Sequence, residues 1–196
     1  MSYIVGLDVS TAVTGIALLD ADDGSLLALS CANTTKCDDM WLTADLIQQK
    51  FDSLIAIHGA GCVDVYVEED LQRFRKGFSS AHTLSTLSKI NGIVTYMARN
   101  TFKAAPHYIQ SSAARKLCGV KIIKAITVAE KKNPLWVKRQ IFDHMIKNYN
   151  DLSTITWPLT KPSKKHPSGH MRNECYDMMD AYVIATAAYK TRIQHI

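Results

Sequence analysis

The first 33 residues place the tightest constraint on the fold. Three apolar runs, at 3–8 (YIVGLD), 13–19 (VTGIALL) and 26–32 (LLALSCA), are separated only by turn-forming stretches at Ser10-Thr11 and Asp22-Asp23-Gly24. Short apolar runs punctuated this way read as an antiparallel three-stranded start. The pattern then changes. Residues 41–57 carry Leu42, Leu46, Phe51, Leu54 and Ile55 at roughly helical spacing, and 63–68 (VDVYVE) alternate like a strand. A second helix is predicted over 80–100, with Leu84, Leu87, Ile90, Val94 and Met97 as its buried stripe. Gly92 costs that helix about 1 kcal/mol relative to alanine, so it is expected to mark close packing against a neighbour.

Residues 107–110 read as a short strand, after which Ser111 or Ser112 should cap a short helix through Leu117. Asn133-Pro134 predicts a helix start with proline at the first helical position, followed by the stripe Val137, Ile141, Met145 and Tyr149. Residues 158–173, with three prolines and several lysines, read as a basic loop before a last helix from Glu174 to about Arg192. Strands first, then strands alternating with helices, give an α/β layout with a mixed five-stranded sheet. A chain of 196 residues fits one domain.

Four acids stand out against this background. Asp8 ends an apolar run; it could instead cap the turn through Ser10 and Thr11. Glu68 ends a strand beside Glu69 and Asp70, a costly cluster unless a cation is present, although a solvated strand terminus reads the same way. Asp177 and Asp180 share one face of an otherwise apolar helix. Matching of the helix dipole would explain Asp177 and explains Asp180 less well. Carboxylates on two strands and one helix, with no accompanying thiolate or histidine set, suit magnesium or manganese rather than zinc. Two such ions can clamp a phosphoryl displacement, which makes phosphodiester hydrolysis the expected chemistry.

The formal net charge of +5 permits a nucleic-acid partner. Arg115, Lys116, Lys121, Lys124, Lys131, Lys132, Lys138 and Arg139 crowd one stretch, with Glu130 the only acid among them. Lys164, Lys165 and Arg172 form a second basic group, and Phe74 lies among Arg73, Arg75 and Lys76. An aromatic between cations suits stacking on a base. Trp136 and Trp157 are expected in the core or an interface. The five cysteines show no C-x-x-C spacing, and neither a secretory leader nor a membrane span is visible. A soluble intracellular protein with no membrane role is therefore expected.

The stretches IVGLDVSTAVTGIALLD, VYVEEDLQRFRKGFSSAHTLSTLSKINGIVTYMA, QSSAARKLCGV and YDMMDAYVIATAAY together resemble the RuvC-like Holliday junction resolvases of the ribonuclease H-like superfamily. The resemblance spans most of the chain in the family's order. The longer 133–173 region marks a divergent branch, such as a phage or virus carries. The resemblance implies a ribonuclease H-like fold and a homodimer joined through the 80–100 helix. It further implies an endonuclease that resolves four-way DNA junctions by symmetric paired nicks. Asp8, Glu68, Asp177 and Asp180 would be catalytic ligands of two Mg2+ ions, with Mn2+ able to substitute. Glu68 rather than Glu69 takes the glutamate position, and Lys116 and Lys131 resemble lysines beside the scissile phosphate. Phe74, Arg75, Lys76, Arg115, Lys116, Lys121, Lys124, Lys132, Lys164, Lys165 and Arg172 would contact DNA. Two rivals share parts of the pattern: a nuclease for RNA–DNA hybrids, forks or other branched DNA, and a junction-binding protein without activity. The first motif also resembles the phosphate loop of actin-like sugar kinases, but the chain is too short for two lobes and lacks a second loop of that type.

Overall fold

The computed structural model describes residues 1–37, 39–59, 61–69, 81–163 and 168–194. The chain opens with β1 (Ser2–Val9), β2 (Val13–Asp20) and β3 (Leu26–Asn33), followed by α1 (Met40–His58), β4 (Cys62–Glu68) and α2 (Ala81–Phe102). Then come β5 (His107–Ile109), α3 (Ser111–Leu117), α4 (Val128–Lys132), α5 (Trp136–Asn148), a 3-10 turn at Asn150–Thr154, and α6 (Glu174–Gln194). The strands form one mixed sheet in the order β3-β2-β1-β4-β5. β1, β2 and β3 pair antiparallel, whereas β4 runs parallel to β1 and β5 parallel to β4.

Alternation along β1 divides the molecule into two layers. Tyr3, Val5, Leu7 and Val9 face one side, where they join Val63, Val65 and Val67 of β4 beneath α1 and α2. Ile4 faces the other side with Ala17 and Leu19 of β2, beneath α6. Both faces of the central strands are covered, so β1 and β2 read as nearly continuous apolar runs. α6 is buried almost all round from Glu174 to Ala188, because it lies on the sheet while α3 and α5 pack on its outer side. That double cover explains its apolar sequence.

Several local expectations are corrected. Neither Ser111 nor Ser112 caps α3; Gln110 holds the cap position with no side-chain bond. Pro134 lies in a turn, and α5 begins two residues later at Trp136 because Asn133 closes that turn, its side chain accepting from Leu135 N–H. The buried stripe of α2 is Ile90, Asn91, Val94, Ala98 and Phe102, with Leu84, Leu87 and Met97 only part-buried. Among the described residues Gly92 packs against nothing: a Cβ there would meet none of their atoms within 4 Å. Leu42 and Val137 are exposed instead of buried, since the inner faces of α1 and α5 lie a few residues further round. Trp157 sits edge-on to Phe142 at 4.8 Å in the outer core, while Trp136 is part-buried. The short helix α4 was not expected; it is held by a capping box between Thr127 and Glu130. Among the described residues no helix is long and apolar enough to cross a membrane.

Candidate metal centre

The site is assembled where β1 and β4 end side by side. Their parallel register runs to Leu7 opposite Val67, so the next residues, Asp8 and Glu68, are neighbours. Sites gather beyond the carboxyl ends of strands in such sheets. Asp8 does not serve the turn that follows. Ser10 closes it, donating to Val13 O at 2.7 Å and accepting from the N–H groups of Ala12 and Val13. Asp8 is therefore left facing α6, at 9% exposure.

Two glycines let α6 come close enough to meet it. A Cβ on Gly6 would lie 2.4 Å from Ala181 O, and one on Gly15 would lie 2.1 Å from Asp177 O. Gly15 is the β2 partner of Asp8. Glycine within a strand here marks backbone-to-backbone approach. The first two turns of α6 thereby set Asp177 and Asp180 over Asp8, with carboxylate oxygens of all three within 4.8 Å of one another.

Glu68 completes the acidic group from the side. Its charge adds to that around Asp8, and its Oε1 accepts a bond from the Ser111 hydroxyl at the start of α3. Glu69 instead donates its backbone N–H to Ile109 O, extending the β4–β5 pairing. Two cations answer the acids. Lys138 on α5 places Nζ 2.5 Å from Asp177 Oδ1 and 3.5 Å from Asp180 Oδ2. Arg115 on α3 approaches Asp180 at 3.8 Å. A fifth acid, Glu174, is nearly buried one turn before Asp177, where Arg172 pairs with it and Asn33 donates to it at 2.6 Å.

The electrostatics show how far the acids outweigh this compensation. Burial raises Asp8 well above its ordinary pKa, with Glu68 and Asp180 adding to the effect and Lys138 opposing it. Burial likewise pushes Asp180 up to about 6 against the pull of Lys138 and Arg115, and raises Asp177. Burial alone would lower Lys138, yet Asp180 and Asp177 raise it well above the usual lysine range. With all groups ionised, four carboxylates face two cations and two negative charges remain. An all-oxygen donor set with that deficit fits a divalent metal ion, and Asp8, Asp177 and Asp180 could hold one.

The structure thus brings Asp8, Asp177 and Asp180 within ligand distance of one another with Glu68 at the strand end next to Asp8, and it adds two basic groups with different addresses from those expected. Lys116 and Lys131 are exposed, on α3 and α4, and neither forms an ion pair with a described residue; Lys138 and Arg115 reach the carboxylates instead. Lys121, Lys124 and Lys132 are exposed on the segment between α3 and α5. Arg172 turns back onto Glu174. Phe74, Arg75, Lys76, Lys164 and Lys165 lie outside the described residues.

No family model matches the chain, and no curated protein matches it. Solved structures do. Thermus thermophilus RuvC superimposes with a TM-score of 0.58 at 14% identity, covering 98% of this chain and 96% of that one. T. thermophilus RuvC in complex with a Holliday junction substrate gives the same TM-score and coverage at 12% identity. The chain has a RuvC-like, ribonuclease H-like fold, as the sequence resemblance implied.

Proposed function

We propose that this chain is a metal-dependent, structure-selective DNA endonuclease that resolves four-way junctions by symmetric paired nicks. The observation that carries this reading is the buried carboxylate cluster at the adjoining ends of β1 and β4, on a fold that matches RuvC along 98% of the chain. We read the whole chain as one nuclease domain.

Asp8, Glu68, Asp177 and Asp180 would hold two Mg2+ ions, with Mn2+ as a substitute. Bound there, the ions supply activation of a water and charge neutralisation at the leaving oxygen of a phosphodiester. The remaining work falls to the protein. Ser111 fixes the rotation of Glu68 by donating to its carboxylate. Lys138, and after it Arg115, opposes the rise that burial gives Asp180. Lys138 shares the Asp177 and Asp180 oxygens, and its ammonium is available to a phosphate oxygen once those carboxylates are neutralised otherwise. Gly6 and Gly15 hold the two aspartates of α6 in register with Asp8.

Homodimerisation is supported by an apolar groove of about 630 Å³ between α1 and α2, lined by Met40, Trp41, Gly92, Ile93, Tyr96 and Met97. Trp41 and Tyr96 are each about two-thirds exposed beside it. The open side of Gly92 then has a use, as room for a partner helix.

The test is a synthetic four-way junction labelled on each strand, with magnesium, against duplex, fork and RNA–DNA hybrid controls. Paired symmetric nicks that a ligase seals are expected. Cutting of the hybrid or fork alone would keep the metal centre and change the substrate. No cutting of any substrate, with manganese also tried, would overturn the nuclease reading.

A further inference from the structure

The stretch from Lys121 to Val137 leaves five aliphatic side chains in water. Ile126 is 79% exposed, Ile123 and Val128 67% each, and Ile122 and Val137 37% each. Single exposed apolar residues need no explanation, but a group confined to one segment does. The segment is not a loose loop. Both backbone groups of Ile123 are clamped to the start of α5: its N–H donates to Gln140 Oε1 at 2.7 Å, and its carbonyl accepts from Trp136 Nε1 at 3.0 Å. The Glu130 carboxylate takes the N–H groups of Ile126 and Thr127. The backbone is held in order, and the aliphatic side chains are held outward.

Charge indicates what they meet: Lys121, Lys124, Lys131 and Lys132 flank the aliphatics, are exposed, and form no ion pair with a described residue. The segment's only acid, Glu130, is committed to the backbone. The occupant is therefore anionic around its edge and apolar at its centre. A regular duplex presents only phosphate and sugar to such a surface, whereas a branch point also presents unstacked base faces.

We propose that Ile123, Ile126 and Val128 form an aliphatic wedge that contacts unstacked bases at the branch point while Lys121, Lys124, Lys131 and Lys132 hold the adjoining phosphates. This rests on the branched-DNA reading above and gives that site a shape-selective element. Apolar wedges between bases and lysine contacts to phosphates have separable signatures: the first senses base stacking, the second salt.

The test uses the full chain without divalent metal, a four-way junction carrying 2-aminopurine at the branch point, and a linear duplex of equal length. The variants are the triple change Ile123→Ser, Ile126→Ser and Val128→Ser, and Ile126→Ser alone. These side chains are exposed, so the melting temperature should not move, and the single change at the most exposed position guards against misfolding of the triple. Binding of the unaltered protein should brighten the 2-aminopurine. The triple variant should bind the junction roughly tenfold more weakly, lose the brightening, and keep both its duplex affinity and its salt slope. Ile126→Ser should show part of each loss. Full junction affinity and brightening in the triple variant would overturn the wedge while leaving the nuclease reading intact. So would serine-sensitive binding to phosphatidylserine vesicles with the junction signal unchanged, which would make the patch a lipid contact. Failure of the unaltered protein to prefer the junction over the duplex would overturn the branched-DNA reading and the wedge with it.

Discussion

The two faces of the sheet are built from alternate residues of the same strands, yet they meet opposite physical demands. Beneath α1 and α2 the core is apolar, with the rings of Phe51 and Phe102 packed at 5.2 Å. Beneath α6 the same strands present Gly6, Asp8 and Gly15, and the helix brings two more carboxylates down onto them. One face lowers the free energy of the folded chain. The other gathers like charges away from water, which raises it. The comparison teaches that a strand period of two lets a single strand serve both ends at once, provided the apolar face stabilises enough to offset the acidic one.

The hardest test of that division is Asp8→Asn. Removal of one ligand charge should lower cutting by at least about a thousandfold, while the variant without metal melts higher than the unaltered chain at neutral pH. The sign follows from the direction of the shifts. Asp180 is raised from 3.8 to about 6, and Asp8 is raised by burial, so between those values the folded chain holds protons that the unfolded chain releases. Metal-free stability therefore falls as pH rises through that window and stays low above it. Magnesium should reverse the fall in the unaltered chain, because it binds the ionised carboxylates. Calorimetry across this range, with and without magnesium, checks both statements. A lower melting temperature for Asp8→Asn would show that the acid is a structural partner of α6 and would break the division.

The opposite face should respond in the opposite way. Phe51 is fully buried, and Phe51→Ala should cost about 3–5 kcal/mol, a fall of roughly 10 °C in Tm. Turnover per folded molecule, measured well below that temperature, should be unchanged. Loss of activity out of proportion to unfolding would mean that the two faces are coupled through β1.

The difference between the faces was only partly legible in the sequence. Asp8 stood out because an acid inside an apolar run has few structural uses, and the Asp177–Asp180 pair because a helix apolar on every other side must be buried. The sheet followed from local runs and turns. Lys138 was not legible as a site residue. Nothing local separates it from seven other basic residues between 115 and 139; its position depends on α5 packing against α6. Ser111 was misread as a helix cap, although its hydroxyl serves Glu68, 43 residues earlier in the chain. Two overlooked signals were local. Glycine at positions 6 and 15 of strands announces a close backbone, and Thr127 followed three residues later by Glu130 announces the short helix α4.

Lys138→Gln asks whether the cation belongs to the chemistry or only fills the cluster. If it serves the phosphate, cutting should fall roughly a hundredfold. In either case Asp177 and Asp180 lose a competitor, so half-maximal thermal stabilisation should occur at a lower magnesium concentration than in the unaltered chain. Unchanged cutting together with tighter magnesium binding would restrict Lys138 to balancing charge in the metal-free fold.

The smallest effect expected is at Ser111, and it probes how finely the acidic face is set. The Ser111 hydroxyl lies outside the carboxylate cluster and donates only to Glu68. Ser111→Ala leaves every charge in place and removes the group that fixes the rotation of one carboxylate. Side chains that orient a ligand from behind are worth about tenfold or more in metal affinity or activity. A fall of roughly tenfold should therefore appear at low magnesium and shrink as magnesium is raised, because excess ion compensates for a less well-oriented ligand. Ser111→Thr, which keeps the hydroxyl, should recover most of the loss. The melting temperature should barely move, since position 111 is part-buried at a helix end whose cap it does not supply. A loss that magnesium does not relieve would place Ser111 in the DNA contact instead of behind the metal centre.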